Sequence, residues 1–184
     1  MNKILLIAAA LLLGGCASTP NTLILSPDAP MVASHSPQGQ LRMETVDHRS
    51  EQYLVEIRSG DGAAQLLSPA EPPRQLLDNG VRNALTRMGF DINPAANTRM
   101  TLSLDRLVME VNQTTFKHDA NSQLDATVFI DNNGRQLTKR FTVRSNFNGP
   151  LKPDMARIER EMNDRLTQLM TDIVTDAEVQ QYLQ

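Results

Sequence analysis

The sequence predicts an α+β domain: a mainly antiparallel sheet with two principal helices packed on one face. Three observations predict it. Apolar residues alternate with polar ones in several short segments, as in half-buried strands, and recur at three- and four-residue steps in two others, as in amphipathic helices. Asp131-Asn132-Asn133-Gly134 separates two of the alternating segments, and Asn and Gly accept the positive φ of a tight hairpin cheaply. The order is strands, helix, strands, helix, which places helices on one side of a sheet.

Each element follows from local chemistry. Leu23-Ile24-Leu25 is a short strand ended by Ser26-Pro27, and residues 27–39, with Pro27, Pro30, Pro37 and Gly39, form a loop. Leu41, Met43 and Thr45 alternate on the next strand, and Tyr53, Val55 and Ile57 on the one after. Ser59-Gly60-Asp61-Gly62 is a turn, and residues 64–67 add a short strand. A helix starts near Pro73, because proline is tolerated in a first turn and not deeper. Leu77, Val81, Ala84, Leu85 and Met88 share one face of it; Gly89 suits a left-handed C-cap, with Phe90 as the apolar contact. Gly80 inside this helix costs about 1 kcal/mol relative to Ala. Close packing against the sheet accounts for it better than a ligand role.

Met100, Leu102 and Leu104 alternate, and residues 107–111 extend that strand past a bulge near Arg106. Residues 124–130 and 137–147 are the hairpin strands. After Pro150 and Pro153, the residues Met155, Ile158, Met162, Leu166, Leu169 and Ile173 form one stripe of a long helix, and residues 177–183 a final turn or short helix. The Met155, Met162 and Met170 side chains suit adaptable binding, but core packing fits their spacing better.

An export signal precedes the domain. Met1-Asn2-Lys3 is a short positive region, residues 4–13 are an unbroken apolar run, and small residues lead to Cys16. The run is shorter than the roughly 20 apolar residues of a bilayer-spanning helix. Leu13-Gly14-Gly15-Cys16 resembles a lipobox. Leu13, Gly14 and Gly15 form the signal-peptidase recognition sequence, with small side chains beside the scissile bond, and the Cys16 sulfur takes the lipid. The alternative is a secreted protein with a chance cysteine after its cleavage site, but the whole pattern is specific. Cys16 is also the only cysteine, and lipidation explains an odd thiol in an exported chain.

Resemblance to bacterial lipoproteins implies S-diacylglycerol and N-palmitoyl on Cys16, since one acyl chain binds marginally and stable anchoring takes two or more. In enterobacterial-type lipoproteins, Asp after the lipidated cysteine retains the protein in the inner membrane. Here that position is Ala17, followed by Ser18 and Thr19. The expected location is therefore the cell outer membrane, facing the periplasm, with the inner membrane as the alternative. The organisation is a signal peptide at 1–15, a lipidated tether at 16–22 and one periplasmic domain at 23–184.

Residues 1–15 hold one Lys and no acid, so the mature chain has 17 basic and 21 acidic residues, a net of −4. That balance offers no footprint for nucleic acid. A chain this long buries about two-thirds of its unfolded surface and folds without disulfides.

The lipobox, the segment from Leu76-Leu77 through Arg87-Met88-Gly89-Phe90, the strand over 102–111, the Asn132-Asn133-Gly134 hairpin and the terminal helix ending at 176–183 resemble the YajG family of bacterial lipoproteins. The resemblance implies a small envelope lipoprotein and brings no catalytic residues with it.

Nothing in the body predicts an active site. His35, His48 and His118 lie far apart without metal-ligand spacing; His35 falls in the proline-rich loop and His118 in the polar link Lys117-His118-Asp119, both expected to be solvated. No G-x-S-x-G elbow occurs. Asp131-Asn132-Asn133-Gly134 lacks the acids and closing Glu of a calcium loop. Asp172 and Asp176 are expected to be solvated on the outer face of the last helix. No catalytic residue, metal or cofactor is expected beyond the covalent lipid. The expected function is a non-enzymatic, membrane-tethered binding or accessory module, taking an envelope protein along an exposed sheet edge or a groove beside the terminal helix. The alternatives are an envelope hydrolase acting on cell-wall or lipid substrate and a wall-binding tether.

Overall fold

The computed structural model describes residues 21–34 and 38–184; Leu13, Gly14, Gly15, Cys16 and His35 lie outside the described residues. In chain order the elements are β1 (Thr22–Leu23), β2 (Gly39–Asp47), β3 (Val55–Ser59), β4 (Gln65–Pro69), α1 (Pro73–Arg87), β5 (Phe90–Ile92), β6 (Arg99–Gln113), β7 (Lys117–Asn132), β8 (Arg135–Pro150), α2 (Met155–Thr175) and α3 (Ala177–Leu183).

The eight strands form one mixed sheet, curled into a half-barrel. The expectation of a mainly antiparallel sheet is therefore corrected: four of the seven strand pairings are parallel, namely β1 with β4, β2 with β5, β2 with β6 and β3 with β6. Only β3–β4, β6–β7 and β7–β8 are antiparallel. Alternation in a sequence fixes which face each residue takes but not the partner strand. Here β3, β4, α1 and β5 intervene between β2 and β6, and such a crossover returns the chain parallel.

One strand organises the sheet. Along one edge β6 pairs with β7 over nearly its full length; along the other it pairs first with β2, up to Asp47 opposite Leu104, and then with β3, from Val55 opposite Met109. The register shifts between Leu104 and Arg106, close to the expected bulge, at the place where residues 48–54 leave the edge. A bulge adds local twist, and here it marks the point where two strands share one edge.

The three helices cover one face. Leu77, Val81, Ala84 and Leu85 of α1, Ile158, Met162, Leu166, Leu169 and Ile173 of α2, and Val179 of α3 pack in one cluster with Leu124, Ala126, Val128 and Ile130 of β7. Met162 and Met170 are core residues, as their spacing suggests, whereas Met155 is 39% exposed. Pro73 opens α1, and Gly89 (φ 96°) ends it with its N–H donated to the Thr86 carbonyl. Phe90 does more than close that cap: it begins β5. Gly80 does pack closely, but against another helix and not the sheet, since a Cβ there would collide with Met170 Sδ of α2. Asp176, expected to be solvated, caps α3 by accepting from the Glu178 and Val179 N–H groups and pairs with Lys139 of β8. Among the described residues no helix is long and apolar enough to cross a membrane.

Candidate functional site

The sheet face away from the helices carries most of the polar chemistry. On β7, Leu124 points into the core while its neighbour Asp125 points to the helix-free face, yet Asp125 is only 1% exposed. Its carboxylate accepts from Thr142 Oγ1 (2.6 Å), Gln123 Nε2 (2.8 Å) and Arg140 Nη2 (2.9 Å). Burial pushes the carboxyl up, but those three hydrogen bonds and the Arg140 charge outweigh it and hold Asp125 below the ordinary carboxylate range. An acid so held stays ionised and serves as a staple between β7 and β8, not as a proton donor.

A second knot sits at the bulge. Asp105 accepts from Ser103 Oγ and Thr127 Oγ1, both at 2.6 Å, and His48 Nδ1 lies 3.0 Å from Ser103 Oγ. Serine, histidine and aspartate are together here, but in an order unsuited to nucleophilic catalysis. The single hydroxyl proton of Ser103 goes to Asp105, so His48 is left donating to the oxygen, whereas a general base must take the serine proton.

Beside these knots lies a groove of about 240 Å³ on the same face, lined by Arg106, Val108 and Glu110 of β6, Asn121 and Gln123 of β7, and Arg144 and Asn146 of β8. Arg106 reaches Glu110 at 3.3 Å. Arg144 has no carboxylate partner among the described residues, so the groove carries one uncompensated cation. Its amides and guanidinium groups suit peptide groups and carboxylates.

The groove opens beside a free edge. Among the described residues β8 pairs with β7 alone, over 16 residues without a register shift. Asn133 and Gly134, both at positive φ, form the two-residue turn expected between them. Asn132 and Arg135 then exchange hydrogen bonds, so odd-numbered residues of β8 bond to β7 and even-numbered ones, from Gln136 to Asn148, aim their N–H and C=O groups outward. The Asn148 carbonyl is taken by Arg157 of α2 (3.3 Å).

The two described histidines stay apart. His48 is exposed, and His118 is 3% exposed, which corrects its expected solvated position: Lys117-His118-Asp119 is the start of strand β7, not a link. His118 packs edge-on against Phe147, its Nδ1 lies 3.0 Å from the Leu151 carbonyl, and a Cβ at Gly149 would press on its ring. Among the described residues no group of three or more His, Cys, Asp or Glu is placed to hold a metal.

A family model described as "Uncharacterized lipoprotein" matches residues 27–184. The chain belongs to this family. It is therefore a lipoprotein, a membrane-anchored protein of the cell envelope. The uncharacterized lipoprotein YajG of Escherichia coli strain K12 and that of an O6:H1 strain are each 23% identical over 180 residues, covering 96% of this chain and 93% of theirs. The crystal structure of protein XCC0632 from Xanthomonas campestris, of family DUF330, superposes with a TM-score of 0.58 at 16% identity, covering 89% of this chain and 97% of that one. At that identity the likeness concerns the fold alone.

Sequence reasoning missed Asp125, Asp105 and the groove. One signal was available: Asp125 interrupts the apolar run of residues 124–130, and a carboxylate inside a buried strand needs partners. Those partners, Thr142 and Arg140, lie on another strand and become visible only with the β7–β8 register.

Proposed function

We propose that this lipoprotein is held by lipid on Cys16 at the outer membrane and acts there as a non-enzymatic binding module. Its ligand is an extended segment of an envelope protein, added as a further strand along β8. The observation that carries this reading is the 16-residue edge of β8, whose outward N–H and C=O groups have almost no partner among the described residues. An unpaired edge of that length is a template for strand addition. The adjoining groove supports it: main-chain bonds give affinity, alternate side chains give specificity, and the free Arg144 favours an acidic segment.

Photocrosslinking in cells tests it. A crosslinker at the exposed edge residue Asn146 should capture a partner, and Thr138→Pro should abolish the capture. Thr138 donates nothing to β7, so proline there removes only an outward N–H. Capture that survives Thr138→Pro would rule strand addition out. Sedimentation of membranes from cells expressing the native chain and a Cys16→Ser form should move the protein from the outer-membrane fraction to the soluble periplasm.

A further inference from the structure

The end of the sheet where β6 turns into β7 carries an apolar tip with no place in the binding reading. Phe116 is 80% exposed and Leu151 63%, yet both are pinned. The Leu151 N–H donates to the Phe116 carbonyl at 2.8 Å, and the Leu151 carbonyl lies 3.0 Å from Nδ1 of buried His118. Leu151 also holds a left-handed backbone, φ 56°, where glycine is the usual residue. A fold that keeps a leucine strained in order to display it beside an exposed phenylalanine points to a surface that these side chains enter. Lys117 and Lys152 flank the pair; Lys117 reaches Asp119 at 3.0 Å, and Lys152 has no acidic partner among the described residues.

The way the chain enters the domain says what the tip meets. β1 runs parallel to β4 with Thr22 opposite Ser68, and the Asn21 carbonyl accepts from the Ser68 N–H. Asn21 is therefore level with Leu67, which is opposite Val55, which is opposite Met109. Running back along β1, the described chain begins toward the side of Gln65, the same end of the sheet as the β6–β7 turn. Phe116 lies about six residues beyond Met109, or roughly 20 Å along the strand. Cys16 lies five residues before Asn21, a span of roughly 17 Å at full extension. The described chain thus begins on the side of the sheet that carries the tip, and the reach of five residues is comparable with the distance from the level of Asn21 to Phe116.

We propose that Phe116 and Leu151 insert into the phospholipid bilayer that holds the Cys16 lipid, seating the domain upright with the β8 edge rising from the membrane and its groove above the surface. The inference rests on lipidation of Cys16. Burial of two apolar side chains is favourable in itself, and the tether makes their encounter with the bilayer intramolecular, which raises its effective concentration. The flanking lysines keep their ammonium groups at the headgroups while their stems follow the apolar side chains.

The chain has no tryptophan, so one introduced indole reports alone. Lipidated Phe116→Trp protein is reconstituted into vesicles of phosphatidylethanolamine and phosphatidylglycerol, beside Phe129→Trp, whose position lies near the opposite end of β7. The indole at 116 should shift to the blue on reconstitution and lose most of its intensity to brominated acyl chains, and the indole at 129 should do neither. Leu151→Gly, which the left-handed backbone accepts, should weaken the quenching at 116. An unshifted, unquenched indole at 116 on protein that floats with the vesicles would overturn the tip while leaving the anchor standing. Protein that fails to float would overturn the anchor, and the inference with it. Equal quenching at 116 and 129, or a blue shift without vesicles that grows with protein concentration, would also overturn it, the latter in favour of a second copy as the occupant.

Discussion

Leu124 and Asp125 are neighbours on β7, both essentially unexposed, and they face opposite sides of the sheet. On Leu124's side three helices exclude water and apolar contact does the holding; any side chain of the right size and shape contributes. On Asp125's side none of the described helices lies over the strands, and a carboxylate is enclosed by donors from its own and the next strand. The lesson is that this sheet has two cores of different kinds. The apolar one is general and tolerant. The polar one is local and specific, and it lies next to the groove and the free edge, where it ties β7 to β8.

The comparison can be broken in order of expected effect. Leu124→Ala should cost most, about 3 kcal/mol, because the surrounding helices relax only partly into the cavity; urea unfolding measures it, and a loss under 1 kcal/mol would mean the helix-covered core is loose. Asp125→Ala should cost about 2 kcal/mol by stranding the Thr142 and Gln123 donors. Asp125→Asn should cost less and sharpens the electrostatic half of the contrast. Because the folded pKa of Asp125 is depressed, its stabilisation is complete above the ordinary carboxylate value and is lost as pH falls through the folded value. The gap in stability between wild type and Asp125→Asn should therefore be full at neutral pH and close below about pH 4. A gap that persists in strong acid would make the staple one of shape and not of charge.

Smaller effects separate packing from pairing. Gly80→Ala should cost about 1 kcal/mol, as displacement of Met170 outweighs the better helix propensity of alanine. Adding Met170→Leu, which removes the obstructing sulfur at similar volume, should recover part of it; no recovery would place the clash elsewhere. Thr138→Pro should change stability by no more than about 0.5 kcal/mol, the range of surface substitutions, while abolishing partner capture. A large loss of stability there would mean that the outward edge is already paired.

How much of this was legible beforehand varies by region. The β7–β8 hairpin was, because its turn residues and its alternation are local; only its length fell short, since the polar ends of both strands, including Lys117-His118-Asp119, look like loop until they are paired. The capping of α1 by Pro73 and Gly89 and the bulge beside Arg106 were legible for the same reason. The fork of β2 and β3 along β6 was not. Nor was the burial of His118, which depends on Gly149 and Phe147 across the ladder, nor the second task of Asp176, which depends on Lys139 of β8.

By itself, the sequence determined the periods, turns and caps of the elements, the apolar faces that meet under the helices, and the export pattern ending at Cys16. All of these are set by residues close in the chain, through backbone preference and side-chain spacing. The tertiary structure decided which strands pair in parallel, that Asp125 and Asp105 find their donors, that β8 has one edge open among the described residues, and that Phe116 and Leu151 meet at the β6–β7 end of the sheet. Each of those depends on groups far apart in the chain, and their meeting is fixed only once the crossover through α1 and the register of β6 are set.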